Sequence, residues 1–380
     1  MLLPTWLKPK YDDCLWLFRI ICVDIFRTKP SKLLLNILLY TVILLTTLQS
    51  ILFVQISTKE YLIKYLPLFC SSFFFLITIY STPRMADAVI ECLESSDVWP
   101  INAASTLIEQ KIKREALYLD IFIILNTFLS LISGILHALP LDEDREIFYT
   151  LATIEDYLPQ WKNLLCFIYR CGFVVLPVVI AAPFYMTIYV CSHMRFQVYM
   201  LFHLAEFLNQ KLITEIKNEK KYNELVKKVL VLSVQKHSTI QRTSSKILKD
   251  FQPYVLLFSV SGTLLIISLI FFMISFEGSF EGRYSRIGTM VIAAVLVSIH
   301  VIVSGQMIED ITTKAFEDIL KSLEWSRWNK ENKKIYLIIL ANNIKPFKLQ
   351  FSDSIALNYR LALGILKSIY SVMSLLWYIK

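Results

Sequence analysis

The chain contains little charge and little glycine for its length. Only 18% of its 380 residues are Asp, Glu, Lys or Arg, and eight are glycine. A soluble domain usually carries roughly 25% charged residues, whereas this chain is 56% hydrophobic with a mean hydropathy of +0.54. The shortage of charge argues against an ordinary soluble domain and predicts an integral membrane protein that forms one helical body.

Motifs for enzyme chemistry and for metal binding are also missing. The sequence has no glycine-rich phosphate loop and no Gly-x-Ser-x-Gly elbow. The histidines lack zinc-ligand spacing; they stand at positions 137, 193, 203, 237 and 300. The seven cysteines are odd in number and form no metal pattern, so we expect free thiols. We predict no enzyme activity, no catalytic residue, no cofactor and no metal site.

Targeting signals and nucleic-acid features are equally scarce. The first ten residues hold no apolar stretch of signal-peptide length, so no cleaved signal is expected. No Asn-x-Ser/Thr sequon occurs anywhere. The net charge of +8 raises nucleic acid as a partner. The basic residues are instead distributed by side of the membrane, which predicts contact with membrane lipid and no nucleic-acid partner.

Seven apolar spans are long enough to cross about 30 Å of hydrocarbon. They cover residues 33–57, 61–82, 118–138, 165–191, 252–276, 286–308 and 354–378. Pro67 in the second span, and Pro177 and Pro183 in the fourth, predict local kinks. Pro253 is predicted at the first turn of the fifth helix, where its missing N–H costs nothing. The predicted class is an all-α membrane protein with seven transmembrane helices.

Lysine and arginine are distributed unevenly between the two sides of these spans. Twenty-nine lie in the N-terminal arm and in the connections on its side, and seven lie on the other side. Because basic residues concentrate in the cytosol, the N-terminus is predicted to be cytosolic and the C-terminus extracellular. This is the reverse of a G-protein-coupled receptor, and the Asp/Glu-Arg-Tyr and Asn-Pro-x-x-Tyr motifs of those receptors are absent.

This orientation divides the chain into four parts. They are a cytosolic arm (1–32), the first six transmembrane helices (33–308), a cytosolic segment (309–353) and the last helix (354–380). Residues 193–251 are predicted as a long cytosolic second inner loop with helical spacing, whose basic runs face the cytosol or anionic lipid headgroups. The outer loop 139–164 is acidic; we interpret it as a solvated loop, and a mouth that attracts cations is the alternative.

The last span carries two full charges inside an apolar run. Arg360 and Lys367 share one helix face with small and hydroxyl-bearing residues, because the steps between them are three or four residues. The members of this polar stripe are Arg360, Gly364, Lys367, Ser371, Ser374 and Tyr378. A cation in a membrane helix is costly unless it meets water or protein, so the stripe predicts a wet path or a polar subunit contact. The alternative is that Arg360 snorkels to the interface and Lys367 has a buried partner.

Short motifs in the last third of the chain resemble those of the insect odorant receptors. The run 251–259 resembles the start of that family's fifth helix, and Gly305-Gln306 follows the sixth. Lys321 to Trp325 resembles a Tyr-x-x-x-Trp motif with lysine in place of tyrosine. The final two matches are 342–349, a turn containing Lys-Pro, and 365–376, a Ser-Tyr-Ser block with Ile369 at a commonly small position.

The resemblance implies a ligand-gated, nonselective cation channel of four subunits whose last helices line one pore. In that family a variable odorant-binding subunit assembles with a shared co-receptor that is longer in the second inner loop. This chain is short there and therefore resembles the odorant-binding subunit. The implied partners are co-receptor subunits in a heterotetramer and a small volatile organic ligand. The implied location is the plasma membrane of olfactory sensory neurons.

The resemblance also assigns roles to residues of this chain. The ligand pocket is expected among the outer halves of helices two to six, at Tyr65, Phe69, Phe73, Ser130, Ser133, His137, Tyr169, Phe173, Met290 and Ala294. The narrow gate is expected at Met373 and Trp377. The polar stripe, through Ser374 and Tyr378, lies about 100° further round the helix, where Lys367 would face water in the wider vestibule.

A cytosolic anchor between subunits is expected at Trp325, Trp328 and a helix over 334–343, because large aromatics in a charged segment need a partner surface. The alternative is packing within the chain or at the headgroup boundary. Two other functions stay open: a gustatory-type channel of the same architecture that needs no partner, and a transporter that uses Arg360 and Lys367.

Overall fold

The computed structural model describes residues 13–56, 58–95, 105–141, 144–208, 218–275, 281–342, 349 and 356–379. Within these ranges the regular secondary structure is helical. The helices are α1 (Trp16–Arg19), α2 (Ile25–Arg27), α3 (Lys29–Ile56), α4 (Lys59–Ser95), α5 (Thr106–Ala138), α6 (Asp144–Ile147), α7 (Tyr149–Tyr157), α8 (Lys162–Phe207), α9 (Glu219–Ser275), α10 (Glu281–Ser322), α11 (Lys330–Asn342) and α12 (Tyr359–Ile379). A π-helical turn, Ile20–Asp24, joins α1 to α2, and 3-10 turns cover Pro159–Trp161 and Trp325–Arg327.

The described helices confirm the predicted class of seven transmembrane helices. Six of them, α3, α4, α5, α8, α9 and α10, are long and apolar enough to cross a membrane. The seventh, α12, has 21 residues, which span about 32 Å at 1.5 Å per residue. The chain is therefore a multi-pass membrane protein, and each predicted apolar run corresponds to one helix, the last of which begins at Tyr359 and not at residue 354.

Several helices continue well beyond the apolar runs that predict them. The helices that contain the second and fourth predicted spans, α4 and α8, extend to Ser95 and Phe207. The helix that contains the fifth span, α9, begins at Glu219, ahead of the predicted start at residue 252. Hydropathy detects only the part of a helix that lies in lipid, so the extensions into water are missed. The prediction for Pro253 was wrong for this reason: it lies inside α9, not in the first turn.

The core is built around α8. Almost every side chain of α8 between Val179 and Leu201 is buried, with α4, α5 and α10 packed around it. The N-terminal segment inserts here, because Phe18 of α1 is fully buried and contacts the rings of Tyr185 and Tyr189 at 6.2 and 6.1 Å. This segment is therefore part of the packed body.

Asp13 fastens the N-terminal segment to α8. Its carboxylate accepts a hydrogen bond of 2.7 Å from the Tyr189 hydroxyl and lies 3.1 Å from Nε2 of His193. Burial opposes ionisation of Asp13. The attraction of His193 and the hydrogen bonds from His193, Tyr189 and the Leu15 N–H outweigh it and hold the Asp13 pKa well below its usual range.

Candidate functional site

A row of aromatic rings runs along one face of α4. Tyr65, Phe69 and Phe73 recur every four residues and so project from the same side of the helix. The Phe69 and Phe73 rings are 5.0 Å apart, and Phe53 of α3 stacks on Phe69 at 4.6 Å. Tyr61 extends the row, 4.9 Å from Tyr65. The sequence prediction named three members of this row. It missed Tyr61 of the same row and Phe53 of α3, which packs against it.

A second aromatic set forms where α5 meets α8. The rings of Tyr169 and Phe173 are 5.1 Å apart, and His137 lies 6.1 Å from Phe173. The two helices approach closely because Gly134 of α5 has no side chain: an added Cβ there would lie 2.5 Å from the Phe173 carbonyl oxygen. Sequence reasoning named the three ring residues but not the glycine that brings them together.

The start of α7 joins the two aromatic sets. Phe148 is buried against Phe173 and Tyr169 at 5.1 and 6.3 Å, whereas the next residue, Tyr149, contacts Tyr61 and Tyr65 at 6.1 and 5.7 Å. We call the α4 row, the α5–α8 set and these two rings together the aromatic chamber. The structure thus brings six predicted residues together: Tyr65, Phe69, Phe73, His137, Tyr169 and Phe173.

Phe148 and Tyr149 themselves were not predicted. The only signal for them in the sequence is an aromatic pair inside an acidic outer loop, and that pattern is common on solvated loops.

Polar side chains of α5 in the last three turns, up to His137, are only partly satisfied. His137 Nδ1–H donates to the Ser133 carbonyl at 2.8 Å, which leaves Nε2 of a neutral ring as an acceptor. The Ser130 hydroxyl donates to the Asn126 carbonyl at 2.8 Å. The Ser133 hydroxyl is buried and has no hydrogen-bond partner among the described residues. One acceptor and one hydroxyl therefore remain able to bind a polar group.

The two predicted pocket residues on α10 differ from the rest. Met290 is 37% exposed and Ala294 is also exposed. Neither contributes a ring, and they lie outside the network of ring contacts that defines the chamber. Their assignment to the pocket stays a prediction.

The last helix is attached to the protomer mainly at its base. Gly305 of α10 allows Leu357 to pass closely, because an added Cβ would collide with the Leu357 carbonyl oxygen. Gln306 Oε1 accepts the Tyr359 N–H at 3.2 Å, and Asn358 donates to Glu309 at 3.2 Å. These contacts give a physical reason for the Gly305-Gln306 motif.

Beyond this base, α12 is largely exposed. Leu366 and Tyr370 are 62% and 75% exposed, and Lys367 and Ser374 are exposed as well. Half-buried residues of the helix include Leu361 and Ile369. At 100° per residue, Lys367 and Ser374 lie on the side turned away from them. Met373 and Trp377 belong to α12, but their side chains lie outside the part of the chain that the structure describes.

The two tryptophans of the predicted anchor have different environments. Trp328 is 4% exposed, contacts Tyr336 at 5.4 Å and donates through Nε1 to the Tyr222 hydroxyl at 3.2 Å. Trp325 is 51% exposed, as are the apolar residues Leu337 and Ile338 of α11, at 62% and 54%. Trp328 therefore packs within the chain, whereas about half of the Trp325 surface is exposed, and a contact of either tryptophan with another subunit stays a prediction.

The helix predicted at 334–343 is α11, which begins earlier, at Lys330. Asn332 at its start is fully buried and donates to the Asn223 carbonyl at 2.8 Å. This contact and the Trp328–Tyr222 hydrogen bond tie the segment between α10 and α11, and the start of α11, to the beginning of α9.

Comparison with known proteins places this architecture. No protein-family model matches the chain, and no curated protein matches its sequence significantly. Two solved structures are similar over 97% of this chain and 97% of theirs, each at 12% identity. They are the insect olfactory receptor OR5 from Machilis hrabei in complex with eugenol, with a TM-score of 0.72, and a second structure of the same receptor, with 0.71. The chain has the fold of the insect olfactory receptors.

Proposed function

We propose that the chain is the odorant-binding subunit of an odorant-gated, nonselective cation channel. The observation that carries the proposal is the aromatic chamber, a set of rings from α4, α5, α7 and α8 within an olfactory-receptor fold. The OR5 structure with eugenol supports a small organic ligand for a chain of this shape. The excess of Lys and Arg on one side supports a cytosolic N-terminus and an extracellular chamber.

The chemistry of the chamber suits a small volatile molecule. Ring surfaces of Phe69, Phe73 and Phe173 bind an apolar body mainly by removing it from water. His137 Nε2 can accept one hydrogen bond and the Ser133 hydroxyl can donate or accept one. A ligand with an apolar skeleton and a single hydroxyl or carbonyl group matches this surface best.

The proposed pore is lined by α12 from four subunits. An apolar ring at Met373 and Trp377 would stop ions by dewetting when the channel is closed. Lys367 and Ser374, turned away from the body of their own protomer, would face water in the vestibule or a neighbouring subunit. The exposure of α12 supports this arrangement, since a membrane helix with so few contacts in its own chain has surface available to neighbours.

The proposed partner is a co-receptor subunit, with which the chain forms a heterotetramer in the plasma membrane of olfactory neurons. Trp325 and the apolar side of α11 offer the contact surface. Trp325→Ala should weaken co-purification with the co-receptor. Unchanged co-purification and unchanged current would remove Trp325 from the interface.

Electrical recording tests the function directly. The chain is expressed with and without co-receptor, and an odorant panel is applied under voltage clamp. Odorant-evoked currents that require the co-receptor support the proposal. Currents without a partner would instead indicate the gustatory-type channel. Small currents that saturate at carrier turnover rates would indicate a transporter that uses Arg360 and Lys367.

Cysteine substitution tests the proposed face of the pore. A thiol reagent is applied to open channels that carry cysteine at position 373, 374, 377 or 378. Block at 373 and 377 is expected for the proposed constriction. Strong block at 374 and 378 with none at 373 and 377 would place the polar stripe at the pore axis instead.

A further inference from the structure

A buried ion cluster lies where α5 ends and where α8 and α10 begin, next to the loop that follows α5. Asp144, the first residue of α6, is 2% exposed, and Arg286 of α10 is 4% exposed. Arg286 Nη1 donates to Asp144 Oδ1 at 2.6 Å, and Arg170 Nη2 of α8 lies 3.0 Å from Oδ2. One carboxylate therefore holds two arginines from two transmembrane helices.

The same cluster also fixes the loop backbone and the end of α5. Arg286 Nη2 donates to the Leu139 carbonyl, immediately after α5. Asp144 Oδ2 accepts the Leu141 N–H at 3.0 Å. Every oxygen of the Asp144 carboxylate thus has a donor, which is the condition under which a buried charge is tolerated. The cluster links α5, the loop, α8 and α10 at one point.

The cluster is connected directly to the ring that closes the chamber. The Asp144 carbonyl accepts the Phe148 N–H at 2.8 Å, so Phe148 follows Asp144 by one helical turn. Phe148 and Tyr149 are the rings that join the α4 row to the α5–α8 set. The position of the chamber's outer wall is consequently set by where Asp144 is held.

We propose that Asp144, Arg286 and Arg170 form a latch that holds the Phe148–Tyr149 segment as a lid on the aromatic chamber. Asp144 is a positioning residue: it sets where the lid rings lie and need not touch a ligand. Opening of the lid requires the carboxylate to leave the buried Arg286 and the partly buried Arg170, so the latch limits how fast a ligand enters and leaves. Its role in ligand exchange rests on the proposed function, whereas its hold on the loop does not.

Hydrogen exchange of the purified chain, with its co-receptor partner where needed, tests the hold on the loop without any odorant. Asp144→Asn removes the charge at nearly constant shape. Amides of α7 should then exchange about tenfold faster, because the lid opens locally more often. The matched control is Asp87→Asn, the same change at a 47% exposed carboxylate of α4 that also pairs with two cations, Arg27 and Lys32. Equal α7 exchange in both variants would overturn the latch.

Ligand kinetics test the consequence for the chamber. Odorant washout from Asp144→Asn channels should be about tenfold faster than from the control, because most changes in affinity appear in the dissociation rate. The double variant Asp144→Asn with Arg286→Gln should wash out no faster than Asp144→Asn alone, because the single change already removes the ion pair between Arg286 and the carboxylate. Additive effects of the two changes on washout would show that the residues act separately.

A milder variant covers the case in which Asp144→Asn does not fold. Arg170→Gln leaves the Asp144–Arg286 pair in place and should give a smaller increase in α7 exchange and in washout rate. Wild-type exchange and washout in Arg170→Gln would then overturn the latch. Failure of the wild-type chain to give any odorant current would refute the proposed function alone, because the exchange measurement needs no odorant.

Discussion

The transmembrane helices α8 and α12 are both apolar, yet α8 is largely enclosed by its own chain between Val179 and Leu201, whereas most described side chains of α12 are exposed. Tyr185 and Tyr189 of α8 are 1% and 0% exposed, whereas Leu366 and Tyr370 of α12 are 62% and 75% exposed. The same contrast recurs in the segment that joins α10 to α11, between Trp328, at 4%, and Trp325, at 51%. The enclosed surfaces stabilise the protomer, and the open ones are available to lipid or to other subunits.

The contrast separates two kinds of functional residue. Residues in the enclosed part can be tested in a single chain, since their partners are present. Residues of α12 and Trp325 can be tested only in an assembly. A large loss of stability from a substitution at an exposed residue, or none from a substitution at a buried one, would contradict this division.

The largest effect is expected from Trp328. Trp328→Ala removes a large buried ring and the Nε1 hydrogen bond to Tyr222, which should lower the free energy of unfolding of the cytosolic segment by about 3–5 kcal/mol. Trp325→Ala should keep the free energy of unfolding within about 0.5 kcal/mol of the wild-type value, as is usual for exposed sites. Thermal unfolding of the two purified variants measures the difference. Comparable losses in both would contradict the division between enclosed and open tryptophans.

The next effect concerns the base of α12. Gly305→Ala places a Cβ against the Leu357 carbonyl, and the backbone must shift at a cost of about 1–3 kcal/mol. We expect loss of most odorant current with normal surface expression. Gly288→Ala is the control on the same helix, because no atom lies within 4 Å of its added Cβ. Equal currents from both variants would show that the close packing of Gly305 against Leu357 at the base of α12 is not needed for gating.

The sequence predicted the seven helices well because each membrane crossing requires about twenty apolar residues. The polar stripe of the last span indicated a helix face that meets water or another subunit, but the burial of α8 could not be predicted, because it is decided by the neighbouring helices. Within the candidate site, the α4 row was predictable from its spacing of four. The lid was not, because Asp144 and Arg286 are 142 positions apart and nothing local to either residue indicates the pairing.

A moderate effect is expected inside the chamber. Phe173→Ala removes ring contacts to Phe148, Tyr169 and His137 and should raise the half-maximal odorant concentration about tenfold or more, equivalent to about 1.4 kcal/mol. Phe167→Ala is the control on the same helix, because Phe167 is 66% exposed. Dose–response curves with co-receptor present measure both. A shift for Phe167 as large as that for Phe173 would move the binding site out of the chamber.

The smallest effect is expected from Lys367, because a charge that faces water is well screened. At about 10 Å from a permeating cation in water, one lysine contributes about 0.4 kcal/mol of repulsion, so Lys367→Gln should raise single-channel cation conductance about twofold at most. Lys367→Arg keeps the charge and should leave conductance unchanged. The increase should shrink at higher ionic strength, where the Debye length falls below the separation. A large change in conductance that does not depend on salt would instead indicate that Lys367 has a buried partner in a neighbouring subunit. In that case the assembly would enclose α12 as fully as the chain itself encloses the buried part of α8.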